Sequence, residues 1–303
     1  MAVAQMTDPK ARAQATASVL ATASPPKQDR RKRDSPLLMI VLILVAAAFC
    51  FPFVWLLMAS FKPANEVFSG DILPSQWTLE NYRQIFKQVP IWEWMLNTLI
   101  VCVLGVISVV LSSSLVAYGF ARLRFPGRTL FFALVIGTYM LPGSVIMIPT
   151  FLIWNELGLV NTLWPLWAGN LFGSAFYIFM IRQFMMAIPQ DLMDAARIDG
   201  AGFFRIYWTI MLPLVKPALA AVAIFEFNAK WNDFMTPLIY LNNPDRYTLA
   251  LGLATLKTNF QELGTSWALL LTASVIFTIP MIVIFFMFQR YFIEGIAHSG
   301  IKG

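Results

Sequence analysis

Charged residues are absent from five long segments of this chain, 35–61, 94–121, 129–155, 157–181 and 263–289, which run for 27, 28, 27, 25 and 27 residues. A helix rises about 1.5 Å per residue, so about 20 residues cross ~30 Å of hydrocarbon, and each segment is long enough to span a bilayer. The third and fourth are divided by Asn155-Glu156-Leu157-Gly158, a polar turn whose glycine suits a helix C-terminus. A sixth candidate lies between 216 and 244, apolar but interrupted by Glu226, Lys230 and Asp233. The pattern predicts an all-α polytopic membrane protein with six transmembrane helices, over about 37–60, 95–120, 130–154, 159–181, 217–241 and 265–289.

Charge between the segments favours six spans over five. With six, the basic residues of the tail, of 122–128, of 182–216 and of the C-terminus share one side, sixteen in all. Lys62, Arg83, Lys87, Arg246 and Lys257 share the other, and Lys230 lies within a span. Basic loops stay in the cytoplasm, so both termini are expected there, in the cytoplasmic (inner) membrane of a prokaryote. Residues 1–34, rich in Ala, Thr, Ser, Pro and Lys/Arg with no periodic apolar pattern, are expected to be a disordered cytoplasmic basic tail ahead of a membrane domain at 35–303. A signal peptide fits poorly, because the first apolar run is a full span. Arg30-Arg31-Lys32-Arg33 reads as a topology anchor.

Composition narrows the class. The 303 residues are 58% hydrophobic and only 13% charged, with a mean hydropathy of +0.67. Soluble domains carry about 25% charged residues, so neither an ordinary soluble enzyme nor a disordered protein is expected. The net charge of +6 is not gathered on one face, which argues against a nucleic-acid partner and leaves membrane lipid as the surrounding partner. Cys50 and Cys102, both in apolar runs, are too few for a disulfide scaffold or a thiolate metal site, and no metal site is expected.

The segment 182–216 stands apart from the other loops. Asp191 and Asp194 follow Pro189, where acidic side chains favour a helix N-terminus, and Gly200 is placed to end that helix. A second short helix is expected from about Gly202 to Met211, braked by Pro213. Leu192, Ala195, Ala196, Ile198, Phe203 and Phe204 are more apolar surface than a solvated loop needs. Two uses remain open: packing on the chain's own bundle, or meeting a protein partner.

The run Asp194-Ala195-Ala196, then Asp199-Gly200-Ala201, then Ile210-Met211-Leu212-Pro213 resembles the EAA loop of permease subunits in ATP-binding-cassette importers. Asp194 stands where that family usually has glutamate, one methylene longer. Thr78-Leu79-Glu80-Asn81-Tyr82, Trp231-Asn232-Asp233-Phe234 with Pro237-Leu238, and the ending from Gln289-Arg290-Tyr291 to Gly303 resemble the carbohydrate, maltose-type branch. The likeness covers the chain from about residue 35 onward. It implies the type I importer (MetI-like) permease fold, with a second permease subunit, two cytoplasmic ATPase subunits and an extracytoplasmic sugar-binding protein as partners. It further implies that Asp194, Ala195, Ala196, Asp199, Gly200, Ile210, Leu212 and Pro213 form a coupling knob that docks on an ATPase, whose closure turns the pathway outward. No Gly-rich phosphate loop ending in Gly-Lys-Ser/Thr occurs in the chain, so no catalytic centre and no cofactor are expected here, ATP belonging to the partner subunits.

Glu226, Lys230 and Asp233 are spaced i, i+4, i+7 along one helical stripe. Ionised groups in mid-membrane cost on the order of 3 kcal/mol and face a partner or a wet cavity. With Asn228 and Asn232 on an adjacent face and Trp231 placed to stack on a sugar ring, the set reads either as substrate path or as an internal ion pair with helix-gluing amides. Pro142, Pro149 and Pro237 predict bends. The segment 247–260 is apolar enough to meet the binding protein, and His298 is a tail residue. The closing Gly300 to Gly303 is expected, by resemblance alone, near the ATPase. Rival functions are a same-fold permease for glycerol phosphate esters or another small solute, and an ion-gradient secondary transporter. A phosphorylated cargo asks for several basic residues in the pathway, where only Lys230 stands.

Overall fold

The computed structural model of the chain describes the backbone of residues 36–258 and 267–300 and the side chains of 36–257 and 267–288. The expected tail at 1–34 and the closing residues 301–303 lie outside the described residues. The chain divides into two compact units, 1–54 and 55–303. In the first, the described residues are the leading part of α1 (Pro36–Ser60), a continuous apolar helix that carries Pro52 without ending.

The second unit holds the rest of α1 and every later element. These are α2 (Glu80–Gln88), α3 (Ile91–Arg122), α4 (Arg128–Tyr139), α5 (Gly143–Glu156) and α6 (Trp164–Trp167), the last continuing as a 3₁₀ turn at Ala168–Phe172. After them come α7 (Ala175–Ala187), α8 (Asp191–Ile198), α9 (Phe203–Leu214), α10 (Lys216–Trp231), α11 (Met235–Tyr240), α12 (Leu249–Thr258) and α13 (Trp267–Gly300). No strand occurs among the described residues, and the fold class is all-α. Three helices, α1, α3 and α13, are long and apolar enough to cross a membrane alone. Three bent pairs bring the possible crossings to six: α4 with α5 at 97°, Trp164–Ala187 with α8 at 78°, and α9 with α10 at 77°.

Helix α3 is the hub, packed on α7, α10, α12 and the 3₁₀ turn. One core gathers Val109, Tyr118, Ile181, Met185, Tyr207, Met211 and Val222 near its C-terminal end. A second gathers Ile85, Trp94, Cys102, Trp231, Leu249 and Leu269 toward the other end. Small hydroxyl residues let the backbones approach along α3. Ser112 donates to the Asn170 carbonyl at 2.8 Å, Ser113 accepts from the Ser174 amide at 3.1 Å, and Ser114 meets the Tyr207 hydroxyl at 2.7 Å.

Three expected spans are corrected in outline. The helix expected over 130–154 breaks after Tyr139, because Pro142 lacks an N–H and pushes Leu141 out of helical conformation. Pro149, in contrast, lies within α5 without breaking it. The helix expected from 159 begins only at Trp164. Gly158 and Asn161 take left-handed conformations (φ 67° and 59°), and the Asn161 side chain accepts the amides of Asn242 and Asn243, both at 3.1 Å. The helix expected over 217–241 ends at Trp231. It resumes as α11 once the Asp233 carboxylate accepts the Thr236 amide at 3.0 Å, a side-chain cap on the first turn.

Two patches singled out in the sequence turn out to be clamps. In the first, Asn81 donates to the carbonyls of Ser60 and Lys62 at 2.9 and 2.8 Å and Tyr82 meets Ser60 Oγ at 2.9 Å, so α2 holds the C-terminal end of α1. In the second, α12 buries Leu249, Leu251 and Leu256. Trp94 donates to the Pro244 carbonyl at 2.8 Å and lays its ring on Gly252, where a Cβ would stand 2.1 Å from it. The apolar character expected to serve a binding protein at 247–260 is therefore spent inside the molecule up to residue 256.

Candidate functional site

Two regions carry the residues singled out in the sequence. The first is the α8–α9 protrusion. Pro189 sits two residues before α8, Asp191 and Asp194 occupy its first turn, and Gly200 closes it with φ 81°. The closure is a Schellman motif: the Ala201 amide reaches the Ala196 carbonyl at 2.9 Å and the Gly200 amide the Arg197 carbonyl at 3.0 Å. A Cβ on Gly200 would meet nothing within 4 Å, so backbone conformation and not space demands glycine there. Asp199 is the helix-ending residue, its amide bonded to the Ala195 carbonyl at 3.1 Å.

One face of the protrusion is anchored. Met193, Ile206, Tyr207 and Met211 are buried, and Tyr118 donates to the Phe203 carbonyl at 3.2 Å. Ala196, Ile210 and Leu212 pack partly against that core. At Tyr207–Met211 the helix widens to π geometry ahead of Pro213, then turns into α10. The other face is open. Ile198 is 87% and Phe204 72% exposed, with Leu192, Phe203 and Trp208 around half exposed. Asp194 pairs with Arg197 on the same helix at 3.1 Å and accepts Gln190 Nε2 at 3.2 Å. Of the apolar residues whose use was left open, the chain's own bundle takes part of Ala196, beside the buried Met193 and Ile206, but leaves Leu192, Ala195, Ile198, Phe203 and Phe204 outward.

The second region is the middle of α10, where the charges point inward. Glu226 is 6% exposed, and its Oε1 lies 3.8 Å from Lys230 Nζ. Asn170 Nδ2 donates to the same carboxylate at 2.5 Å and to the Gly105 carbonyl at 3.1 Å, and Tyr177 is an electrostatic neighbour of Glu226. Lys230 donates to the Leu166 carbonyl at 2.7 Å, and its stem lies against Gly105, where a Cβ would stand 3.3 Å from Lys230 Cγ. The groups around the pair come from α3, α6, the 3₁₀ turn and α7. Trp231 is corrected outright as a stacking platform: it is fully buried, stacked on Phe227 at 5.6 Å, with its indole N–H on the Phe277 carbonyl at 3.2 Å. Asp233 serves the α11 cap. Asn228 and Asn232 alone of the set are exposed on the helix. They are joined to each other by Asn232 Nδ2, which reaches the Asn228 side-chain oxygen at 2.7 Å and its carbonyl at 2.9 Å.

Sequence reasoning missed Asn170, Tyr177 and Gly105, which complete the buried pair from 56, 49 and 121 residues away. Asn170 alone left a signal, a polar side chain inside an otherwise apolar run. It also missed a cleft of about 860 Å³ between the turn after α3 and the α8–α9 protrusion, ringed by Arg122, Arg124, Arg128 and Arg197. In the sequence those arginines stand out only as topology charges. No group of acidic, histidine and cysteine side chains that could hold a metal ion occurs among the described residues.

Comparison with known proteins bears on both regions. Residues 110–298 match the family described as binding-protein-dependent transport system inner membrane component. An arabinooligosaccharides transport system permease protein, AraQ of Halalkalibacterium halodurans, is 37% identical over 282 residues, covering 90% of this chain and all of that protein. A diacetylchitobiose uptake system permease protein, NgcG of Streptomyces coelicolor, is 34% identical over 79% of this chain and 80% of its own. Among solved structures, a bacterial ABC transporter involved in import of the acidic polysaccharide alginate has a chain that superposes with a TM-score of 0.74 at 24% identity. The match covers 88% of this chain and 99% of that one, a likeness of fold.

Proposed function

The chain belongs to the family of binding-protein-dependent transport system inner membrane components, and from that premise we propose that it is the permease subunit of an ATP-driven importer for a neutral sugar or oligosaccharide. The part of the protein that meets the motor is the α8–α9 protrusion. Its outward residues Leu192, Ile198, Phe203 and Phe204 dock into an ATPase subunit, and Asp194, Ala195, Ala196, Asp199 and Gly200 give the docking helix its shape. Ile210, Leu212 and Pro213 belong to the stem that joins the docking helix to α10 through a 77° bend. A push on the protrusion therefore reaches α10 and its polar middle directly. With both termini and this protrusion on the cytoplasmic side, a second permease completes the pathway, an extracytoplasmic binding protein delivers the sugar, and ATP is bound and hydrolysed only by two partner subunits.

The observation that carries the cargo class is the division of labour along α10. The two ionised groups of its middle, Glu226 and Lys230, are turned inward, paired with each other and met by Asn170 and the Leu166 carbonyl. The face left open presents Asn228 and Asn232, uncharged donors and acceptors of the kind that sugar hydroxyls match. A glycerol phosphate ester or an acidic glycan asks for a free cation, and the middle of α10, where Lys230 is paired with Glu226, presents none on its open face among the described residues. The runner-up cargo is accordingly not favoured. Relatives of this chain named for arabinooligosaccharides and diacetylchitobiose support the same class.

The test is uptake by the assembled importer in liposomes, with the ATPase subunits facing the added nucleotide and the binding protein on the opposite side. Oligosaccharide movement should require ATP and the binding protein. Movement on an ion gradient alone would identify a secondary transporter instead.

A further inference from the structure

The turn that follows α3 carries a concentration of positive charge that neither docking nor cargo transfer uses. Residues 123–127 reverse the chain between two membrane helices, with Gly127 in left-handed conformation (φ 78°); Arg124 stands within that reversal, and Arg122 and Arg128 stand at its two ends. Arg197 of α8 faces them across the cleft, and Asp194 is the only carboxylate on its lining. Four guanidinium groups around one carboxylate leave a strong positive excess, and like charges so close repel unless an anion sits between them.

The donors are unequally engaged. Arg122 is a structural member: it donates to Gln190 Oε1 at 2.9 Å and to the carbonyls of Met185 and Ile188, tying α3 to the start of α8. Its Nε is buried without a hydrogen-bond partner. Arg128 makes one long bond, to the Leu123 carbonyl at 3.3 Å. Arg197 uses one nitrogen on Asp194. Arg124 is exposed and has no hydrogen bond or ion pair among the described residues. Most of the donor capacity of Arg124, Arg128 and Arg197 is thus free, in the forked geometry that binds phosphate oxygens two at a time. The cleft, at about 860 Å³, falls within the roughly 300–1,000 Å³ of small-molecule sites.

What stands beside the charge identifies the source of the phosphate. Phe125, Leu130 and Phe131 flank Arg124 and Arg128 and are 38%, 64% and 54% exposed, and α4 buries none of its residues within the chain. A soluble anion or an acidic protein surface has no use for an adjoining apolar wall at the mouth of a membrane helix. A phospholipid has, because its phosphate lies at headgroup level and its acyl chains run down the same helix. We propose that this cleft binds the phosphate headgroup of an anionic phospholipid of the surrounding bilayer, bridging the α3–α4 turn and Arg197 of the coupling helix. The inference rests on the orientation proposed above, which places the cleft on the cytoplasmic side. Because Arg197 and Asp194 form both the cleft wall and the docking helix, headgroup occupancy steadies the protrusion against which the ATPase pushes.

The assembled importer is extracted and its retained phospholipids are measured by native mass spectrometry. It is then assayed in nanodiscs of phosphatidylcholine alone or mixed with phosphatidylglycerol. The wild-type complex should retain phosphatidylglycerol, and each cleft charge removed should weaken that retention about fivefold, as expected for basic residues near a membrane surface. Arg124→Gln, which breaks no internal bond, is the first variant, and Arg124→Gln with Arg128→Gln the second, while Arg124→Lys should recover most of the retention. Stimulation of ATP hydrolysis by phosphatidylglycerol should fall in parallel. Equal phosphatidylglycerol retention in wild type and variants would overturn the proposal. Full displacement by millimolar inorganic phosphate would assign the cleft to a free anion, and loss of the ATPase subunits by the variants in phosphatidylcholine would assign it to protein docking. Retention is read by mass and not by transport, so a complex that keeps its lipid yet moves no sugar would refute the functional reading and leave the lipid site standing.

Discussion

The protrusion at α8–α9 and the middle of α10 posed the same puzzle in opposite media. One puts apolar side chains where water is expected, the other puts charges where hydrocarbon is expected, and each is unfavourable unless something covers it. The resolutions differ. In α10 the fold supplies its own cover: Lys230 and Glu226 find each other, Asn170 and the Leu166 carbonyl. In the protrusion the fold covers only half the apolar set, burying Met193 and Ile206 while Ile198 and Phe204 remain outward. A misplaced residue that its own chain satisfies is architecture, and one left unsatisfied implies a partner.

That contrast is broken most severely at the buried pair. Lys230→Met leaves the Glu226 carboxylate in the interior with the uncharged Asn170 amide as its hydrogen-bond partner, and breaking a buried pair from one side costs about 3 kcal/mol or more. The expected outcome is a large fall in the thermal unfolding midpoint of the detergent-solubilised protein. Combining it with Glu226→Gln removes the stranded charge, so the double variant should be more stable than Lys230→Met alone. If Lys230→Met were as stable as wild type but defective in transport, the pair would be serving the cargo and not the fold.

How far these features were visible beforehand depends on whether they are local. The all-α class and the placement of the helices follow from charge-free length, which needs no tertiary information. The α8 stop at Gly200 is equally local, since a Schellman closure selects glycine from within its own six residues, 196–201. The breaks at 140–142 and at 232–234 were only half legible. Proline marks a position where a helix loses a bond, but whether it breaks is set by neighbours, and Pro149 stays within α5 while Pro142 ends α4. Least legible was which way α10 faces. Helices apolar on nearly every side carry no strong polar phase to point inward or outward, so Trp231 and Lys230 went inward through partners on α3, α6 and α13 that no local pattern could announce.

A smaller effect is expected at Gly200, and it sharpens the other half of the comparison. Nothing lies within 4 Å of a Cβ built there, so size is not at issue. A left-handed φ of 81° costs a β-branched residue about 1–2 kcal/mol, whereas asparagine tolerates it. Gly200→Val should reach the membrane and fold, with its helix end unwound and ATP-dependent uptake lost, while Gly200→Asn should keep most uptake. Ranking the two by uptake against unfolding midpoint separates geometry from bulk. Equal loss in both would point to a close approach by the ATPase at that position.

The smallest change in stability is expected at the outward apolar residues, and there the comparison is at its most discriminating. Phe204 is 72% exposed, so Phe204→Asp removes little packing and should alter the unfolding midpoint by no more than about 0.5 kcal/mol equivalent. A large apolar side chain at the centre of an interface contributes on the order of 2 kcal/mol to association, so the same substitution should weaken binding of the ATPase subunits about 30-fold, readable by co-purification at graded concentrations. Lys230→Met and Phe204→Asp then form opposite halves of one experiment. The first should lower stability, with any loss of ATPase binding following from the loss of fold, and the second should lower ATPase binding with stability unchanged. A Phe204→Asp protein that unfolds early would place this side chain in the core of the native assembly. The outward face would then belong to the permease itself and not to its motor.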